Sequence, residues 1–319
     1  MKRDAVKRYV ILSVLLLAAV FLALTLGAVR IPLGDLLLAT NRPILDMRLM
    51  RVATAMLAGC GLAVSGIALQ AVLRNPLAEP YLLGTSSGAG LAAVSAMALG
   101  VSAAYLPLAA FAGAMASMVL VYGLAREGGR VRDRSLIMAG VIVSIALSAL
   151  IVFVVSISGE RAMREMSWWL WGSTQAYDPR LIGLAAAPVA AGILAVQFFA
   201  RDLDAISLGE EEALHLGIDV EKLKTALVIV TALMTASLIC VCGIIGFVGL
   251  IVPHAMRMVA GPGHRNLVPS ACLAASAFMV VCDLAARTLF APVEIPIGVV
   301  TALIGAPVFI FLLKKGKRL

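Results

Sequence analysis

Runs of about 20 apolar residues recur from one end of this 319-residue chain to the other, and no other feature limits its fold so sharply. That is the length a helix needs to cross the hydrocarbon core of a bilayer. The runs place ten spans, at roughly 9–29, 49–73, 83–100, 106–125, 136–157, 181–200, 225–242, 244–260, 267–290 and 295–313. Composition agrees: 62% of residues are hydrophobic, 14% are charged and the mean hydropathy is +1.03. A water-soluble domain carries charge on about a quarter of its residues. The sequence therefore predicts an all-α polytopic membrane protein, a single transmembrane domain over 1–319.

The first run has a competing reading as a secretory signal, because Lys2, Arg3, Lys7 and Arg8 resemble a basic leader. Its apolar stretch, Tyr9 to Val29, is long for that purpose, and no small-residue cleavage site leads into a soluble domain. It is read as the first span. Spans seven and eight are divided only by Gly243, Gly246 and Gly249, and one kinked helix there would give nine spans. The charges favour ten. With the N-terminus inside, the inner segments hold 18 of the 26 basic residues, among them Arg74, Arg126, Arg130, Arg132, Arg134, Arg201, Lys222 and Lys224. That follows the positive-inside rule and puts both termini, including the basic tail "KKGKRL", on the cytoplasmic side of the inner membrane. The net charge of +8 is then a consequence of topology, and a nucleic-acid partner is not expected.

The five cysteines all lie in apolar runs, and Cys240-Val-Cys242 lacks zinc-ligand spacing, so they read as small packing residues. No phosphate-binding G-x-x-x-x-G-K-[ST] loop occurs, and no H-E-x-x-H motif or paired-carboxylate arrangement suggests membrane hydrolysis. His215, His254 and His264 are scattered, and neither a catalytic residue nor a metal site is assigned. Ionisable groups inside the spans, which ion-driven carriers use, are few. Asp283 and Arg287, four residues apart, share a helix face and serve either as a local pair or as a relay.

Three polar interruptions stand out. In "LRNPLAEPYLLGTSSGAG", residues 73–90, Pro76 ends a helix and biases Asn75 away from helical geometry. Thr85, Ser86 or Ser87 is placed to cap the next helix. This is a tight cytoplasmic turn, with or without a further role. The segment 207–224 has Ser207 and Glu210 at capping-box spacing, Gly217 as a helix stop and Asp219 as a second cap. Two short helices there would form a docking platform, about 201–224; the alternative is a solvated loop. The outer segment, about 156–180, holds Trp168, Trp169 and Trp171, suited to an interfacial helix whose rings sit in lipid headgroups, or to substrate contact.

Six segments, in order, carry a resemblance: "RLMR" at 48–51, "QAVLRNPLAEPYLLGTSSGAG" at 70–90, "WLWGS" at 169–173, "SLGEEEALHLGI" at 207–218, "GFVGLIVPHAMRM" at 246–258 and "EIPIGVVTALIGAPVFIFLL" at 294–313. Together they resemble the permease subunit of binding-protein-dependent ABC importers for iron-siderophores, haem and cobalamin. The resemblance implies a ten-helix subunit, a homodimer and two separate cytoplasmic ATPase subunits that bind ATP and Mg²⁺. It also implies a periplasmic or lipid-anchored substrate-binding protein. This chain would bind no cofactor itself.

By the same resemblance Asn75, Pro76 and Leu77 form a cytoplasmic gate, held rigid by the prolines. Glu212, Ala213, Leu214 and Gly217 couple to the ATPase, with Ser207 and Glu210 setting the helix start. Arg48, Arg51 and Arg287 match outer positions that receive acidic residues of the binding protein, although Arg287 has Asp283 as a rival partner. Gly140, Ser144 and Ser148, one helical turn apart, either line the pathway as a smooth, weakly polar stripe or pack against a neighbouring helix. The cargo is a ferric siderophore, haem or cobalamin. A self-contained ion-coupled transporter is the alternative, and a membrane enzyme a third.

Overall fold

Every run read as a span contains a helix in the computed structural model, which describes residues 2–27, 29, 38–127, 130–175 and 178–316. Those helices are α1 (Lys2–Thr25), α2 (Arg42–Val72), α3 (Thr85–Ala98), α4 (Leu106–Ala125) and α5 (Asp133–Ile157). A short α6 (Glu160–Leu170) leads to α7 (Pro179–Phe198), α8 (Ala200–Leu208) and α9 (Glu210–His215). The chain ends in α10 (Val220–Cys242), α11 (Val248–Ala260), α12 (His264–Thr288) and α13 (Ile297–Gly316). Among the described residues seven helices are long and apolar enough to cross a membrane. Helices α3, α11 and α13 occupy the other three runs, α3 and α11 being only 14 and 13 residues long. Strands β1 (Arg126–Glu127) and β2 (Arg130–Val131) make a small antiparallel hairpin between α4 and α5. Lys317 and Arg318 of the basic tail lie outside the described residues.

The bundle is organised on α2, which packs against α7, α10, α11 and α12. Lipid tails are as apolar as leucine, so helices associate in a bilayer through close packing rather than through water release. Small residues on α2 permit that closeness. At Gly66 a Cβ would run into the backbone carbonyl of Gly249. Around these contacts Leu62, Ile67, Leu69, Leu227, Leu238 and Ile239 are fully buried.

Spans seven and eight are two helices, not one kinked helix. α10 ends at Gly243 (φ 66°) and α11 starts after Phe247 (φ 71°). At 1.5 Å per residue α10 is ~34 Å long, while α11 and α3 are only ~20 Å. The residues before the two short helices therefore penetrate the bundle. Gly243–Phe247 descends from one end and Arg74–Gly84 rises from the other. They meet inside, where Ile245 N–H donates to Tyr81 Oη at 3.3 Å and Gln70 Nε2 donates to Gly249 O at 3.1 Å. Irregular backbone is tolerated at membrane depth only when protein satisfies it in this way.

Three local expectations are corrected. α3 is not capped by Thr85, Ser86 or Ser87; Gly84 (φ 76°) holds the N-cap position, and Thr85 sits buried one residue inside. Ser207 and Glu210 form no capping box. Ser207 is still inside α8, where its Oγ donates to Leu203 O at 2.7 Å, and Gly209 precedes α9. Asp219 does cap a helix, accepting from Lys222 N–H at 3.1 Å, but that helix is the long span α10 rather than a second short one.

Candidate gate and coupling site

Two regions gather the polar side chains, one at each end of the bundle. The first surrounds the turn after α2. Asn75 Oδ1 accepts from Leu77 N–H at 2.9 Å, which closes a local turn, and Pro76 cannot extend α2. Arg74 takes a left-handed backbone (φ 45°), uncommon for a residue with a side chain. Asn75, Pro76 and Leu77 thus form one rigid turn, with Leu77 exposed at its tip. Buried Gln70 braces it from below, donating to Ala78 O at 3.2 Å and accepting from Arg257 of α11.

Beside this turn stand α8 and α9. Ala213 is buried as the anchor of α9, while Glu212 and Leu214 face outward with Leu208 and Leu216. Gly217 ends α9 in the left-handed region (φ 80°), and Ile218 N–H bonds back to Ala213 O at 3.1 Å. The product is an exposed apolar knob preceded by three glutamates, 210–212. Glu210 alone of the three turns inward. Its Oε1 accepts from Arg74 Nη2 at 2.9 Å and from Lys224 Nζ at 2.6 Å. Asp133, the first residue of α5, completes the group, 3.1 Å from Arg74 and 2.6 Å from Lys224. A cleft of about 760 Å³ opens between this platform and α11, lined by Gln70, Arg74, Asp204, His254, Arg257 and His264 among others.

On α5, Gly140 is buried because the Leu82 carbonyl occupies the place a Cβ would take. Ser144 is partly exposed and Ser148 exposed. Gly140 therefore serves helix packing, and only the two serines offer a polar surface.

At the opposite end the three arginines read as docking charges are only 4, 6 and 4% exposed for Arg48, Arg51 and Arg287. Arg48 donates to the carbonyls of Leu24, Thr25 and Val29 at 2.6–3.1 Å, and Arg287 donates to that of Ala23. Both complete the C-terminal end of α1, where orphan carbonyls and the helix dipole attract a cation. Arg51 Nη2 pairs with Asp283 at 2.8 Å and Nη1 with Glu294 at 3.1 Å. Arg287 Nε lies 3.3 Å from Asp283 Oδ2, close enough for attraction without hydrogen-bond alignment. Thr174 also donates to Asp283. Asp283 is thus enclosed by cations and a hydroxyl as a structural pair. Nearby, Trp168 and Trp171 meet edge to face at the end of α6, half-exposed, while Trp169 packs inward.

The sequence singles out Glu210 but not its partners. Arg74, Asp133 and Lys224 lie 136, 77 and 14 residues from it, so no local spacing announces the group. The same holds for Gln70 with Arg257 and for Glu79, whose carboxylate meets the Phe247 amide.

Known proteins share this architecture. A family model described as the FecCD transport family matches residues 15–315. The cobalamin import system permease protein BtuC of Halobacterium salinarum is 40% identical over 269 residues, 84% of this chain and 72% of the relative. The hemin transport system permease protein HmuU of Yersinia pestis is 35% identical over 280 residues, 86% and 84% of the two chains. A solved structure assigned to a metal-chelate type ABC transporter, in an inward-facing conformation, superposes with a TM-score of 0.88 at 31% identity. The match covers 98% of this chain and 99% of the other.

Proposed function

The chain belongs to the FecCD transport family, and from that premise we propose that it carries cobalamin or a metal chelate, haem or a ferric siderophore, into the cytoplasm as half of a homodimer. It is a multi-pass membrane permease of the ABC importer type. Two separate ATPase subunits, binding ATP and Mg²⁺, dock on α8–α9, and a substrate-binding protein docks at the opposite end. The end bearing the turn after α2 is cytoplasmic, in keeping with Arg126, Arg132, Arg134, Arg201 and Lys222 around it. The observation that carries the reading is Glu210. It ties an exposed leucine-and-glutamate platform to Arg74, the residue before the proposed gate Asn75–Leu77.

The other residue assignments follow from the geometry. Glu212, Ala213, Leu214 and Gly217 form the ATPase contact, with Ala213 as its buried anchor. Ser144 and Ser148 line the pathway. Binding-protein docking falls to Arg51, whose Nη1 partner Glu294 is about one-third exposed, so an incoming carboxylate would displace Glu294 while Asp283 keeps the other side of the guanidinium. Arg48 and Arg287 are committed to α1. The ion-coupled alternative rested on Asp283, and its enclosure by Arg51 and Arg287 favours a structural pair.

Proteoliposomes containing the chain, its ATPase and its binding protein test the reading. Uptake of cobalamin, haem or a ferric siderophore that needs ATP and both partners is expected. Uptake by the lone chain under an ion gradient would refute it.

A further inference from the structure

Four charged side chains from four different elements converge behind the proposed gate. Arg74 comes from the turn after α2, Asp133 from the start of α5, Glu210 from the start of α9 and Lys224 from the first turns of α10. Lys224 is 5% exposed, so its ammonium depends on the two carboxylates it touches, each at 2.6 Å. Exposed ion pairs contribute little, but removing one member of a buried group leaves an uncompensated charge and is costly. The group is balanced, two cations against two carboxylates, only while Glu210 is in place.

We propose that Arg74, Asp133, Lys224 and Glu210 form a charge-balanced clasp that transmits displacement of α9 to the gate turn Asn75–Leu77. The proposal rests on the importer reading above and names positioning residues for it. Glu210 Oε1 serves both cations, so moving α9 away leaves Lys224 and Arg74 sharing Asp133. Buried Lys224 keeps that carboxylate. Arg74, nearer to solvent and in a left-handed backbone conformation, either follows Glu210 or lets go. The first response pulls on the residue bonded to Asn75, and the second removes a tie that holds it. The clasp is thus a two-state element whose balance is set at α9 and read at the gate, the kind of element that coupling between distant sites requires.

The test uses the reconstituted transporter with its ATPase and binding protein, and variants Arg74→Gln, Arg74→Lys and Asp133→Asn. Cargo moved per ATP hydrolysed, passive efflux of preloaded cargo, co-purification of the ATPase and melting temperature are recorded. Arg74→Gln is expected to lower cargo per ATP by at least about fivefold, the usual lower bound for coupling between sites. It should also raise passive efflux while the ATPase still co-purifies, and Arg74→Lys should restore most of the ratio. Asp133→Asn gives the same result by removing the other carboxylate, and it decides the matter if Arg74→Gln does not fold. Wild-type uptake together with an unchanged ratio in both variants overturns the clasp alone. Loss of co-purification and melting temperature in step with uptake reduces it to a structural tie and overturns it too. Wild-type protein without ATP-dependent uptake overturns the importer reading and the clasp with it.

Discussion

Glu79 Oε1 accepts a hydrogen bond from the backbone N–H of Phe247 at 2.8 Å, joining the segment that rises from one end of the bundle to the segment that descends from the other. Phe247 stands at the N-cap position of α11 with a positive φ, and a carboxylate there also faces the positive end of the helix dipole. Glu79→Ala should leave that amide unpaired inside the bundle and cost about 1–3 kcal/mol. Glu79→Gln retains an acceptor and should cost clearly less. Denaturant unfolding in detergent measures both, and equal stabilities for the two variants would remove Glu79 from this role.

The Gly66–Gly249 contact predicts a steric cost without any loss of hydrogen bonds. A methyl group on Gly66 meets the Gly249 carbonyl, which is backbone and held by Gln70, so neither side has room to yield. Gly66→Ala should destabilise by about 1–3 kcal/mol, the usual cost of overpacking. Gly123→Ala on α4 is the control, because nothing lies within 4 Å of a Cβ built there. A melting temperature unchanged by Gly66→Ala would show that α2 and α11 are looser than described.

How much of this was legible beforehand depended on the range of the interaction. Helix positions came from uninterrupted apolar runs, a local property, and even the uncertain division at 243–247 followed its glycines. Gly217 as a helix stop and Asp219 as a cap are legible because both act within three residues, although the helix Asp219 caps is set by the longer span. The Ser207–Glu210 capping box failed for an instructive reason. Spacing describes what a side chain can reach along the chain, and Glu210 instead reaches Lys224 and Arg74, brought close only by packing. Burial was equally hidden. Arg48 and Arg287 look like exposed charges next to apolar sequence, yet they serve the end of α1, some 20 and 260 residues away.

Their different partners separate Arg48, Arg51 and Arg287 experimentally. Arg48→Met should lower the melting temperature by releasing the end of α1, while leaving binding-protein affinity within about twofold, since its guanidinium is committed to three backbone carbonyls there. Arg51→Gln removes the cation shared by Asp283 and Glu294 and should cost about 3–5 kcal/mol, as breaking a buried pair does. It should weaken docking as well. Pull-down of the binding protein across a salt series reads the second effect. Docking lost in Arg48→Met but kept in Arg51→Gln would reverse the assignment.

Asp219 predicts a pH dependence of known sign. Its carboxylate is held below the usual range by the Lys222 ammonium and by the Lys222 amide that it caps. A depressed folded-state pKa contributes stability above the unfolded value of about 3.9, and that contribution is lost as pH falls through the folded value. The melting-temperature gap between wild type and Asp219→Ala should therefore be flat from about pH 7 to pH 5 and shrink toward pH 3. A gap that widens on acidification would contradict the cap.

Gly217 offers the cleanest separation of folding from coupling. It ends α9 at φ 80°, and no atom lies within 4 Å of the position a Cβ would take. A substitution there meets no neighbour, so its whole cost is the left-handed backbone, about 1–2 kcal/mol for an ordinary residue. Asn visits that region readily, whereas a β-branched Val does not. Gly217→Val should push the chain out of the left-handed turn, break the Ile218–Ala213 bond and reorient Leu214 and Leu216 on the proposed ATPase contact. Cargo moved per ATP should then fall several-fold with the fold intact, while Gly217→Asn stays near wild type, both read in proteoliposomes. The same result for Asn and Val would mean that the geometry at the end of α9 does not govern coupling. The ATPase contact would then have to be sought away from α9.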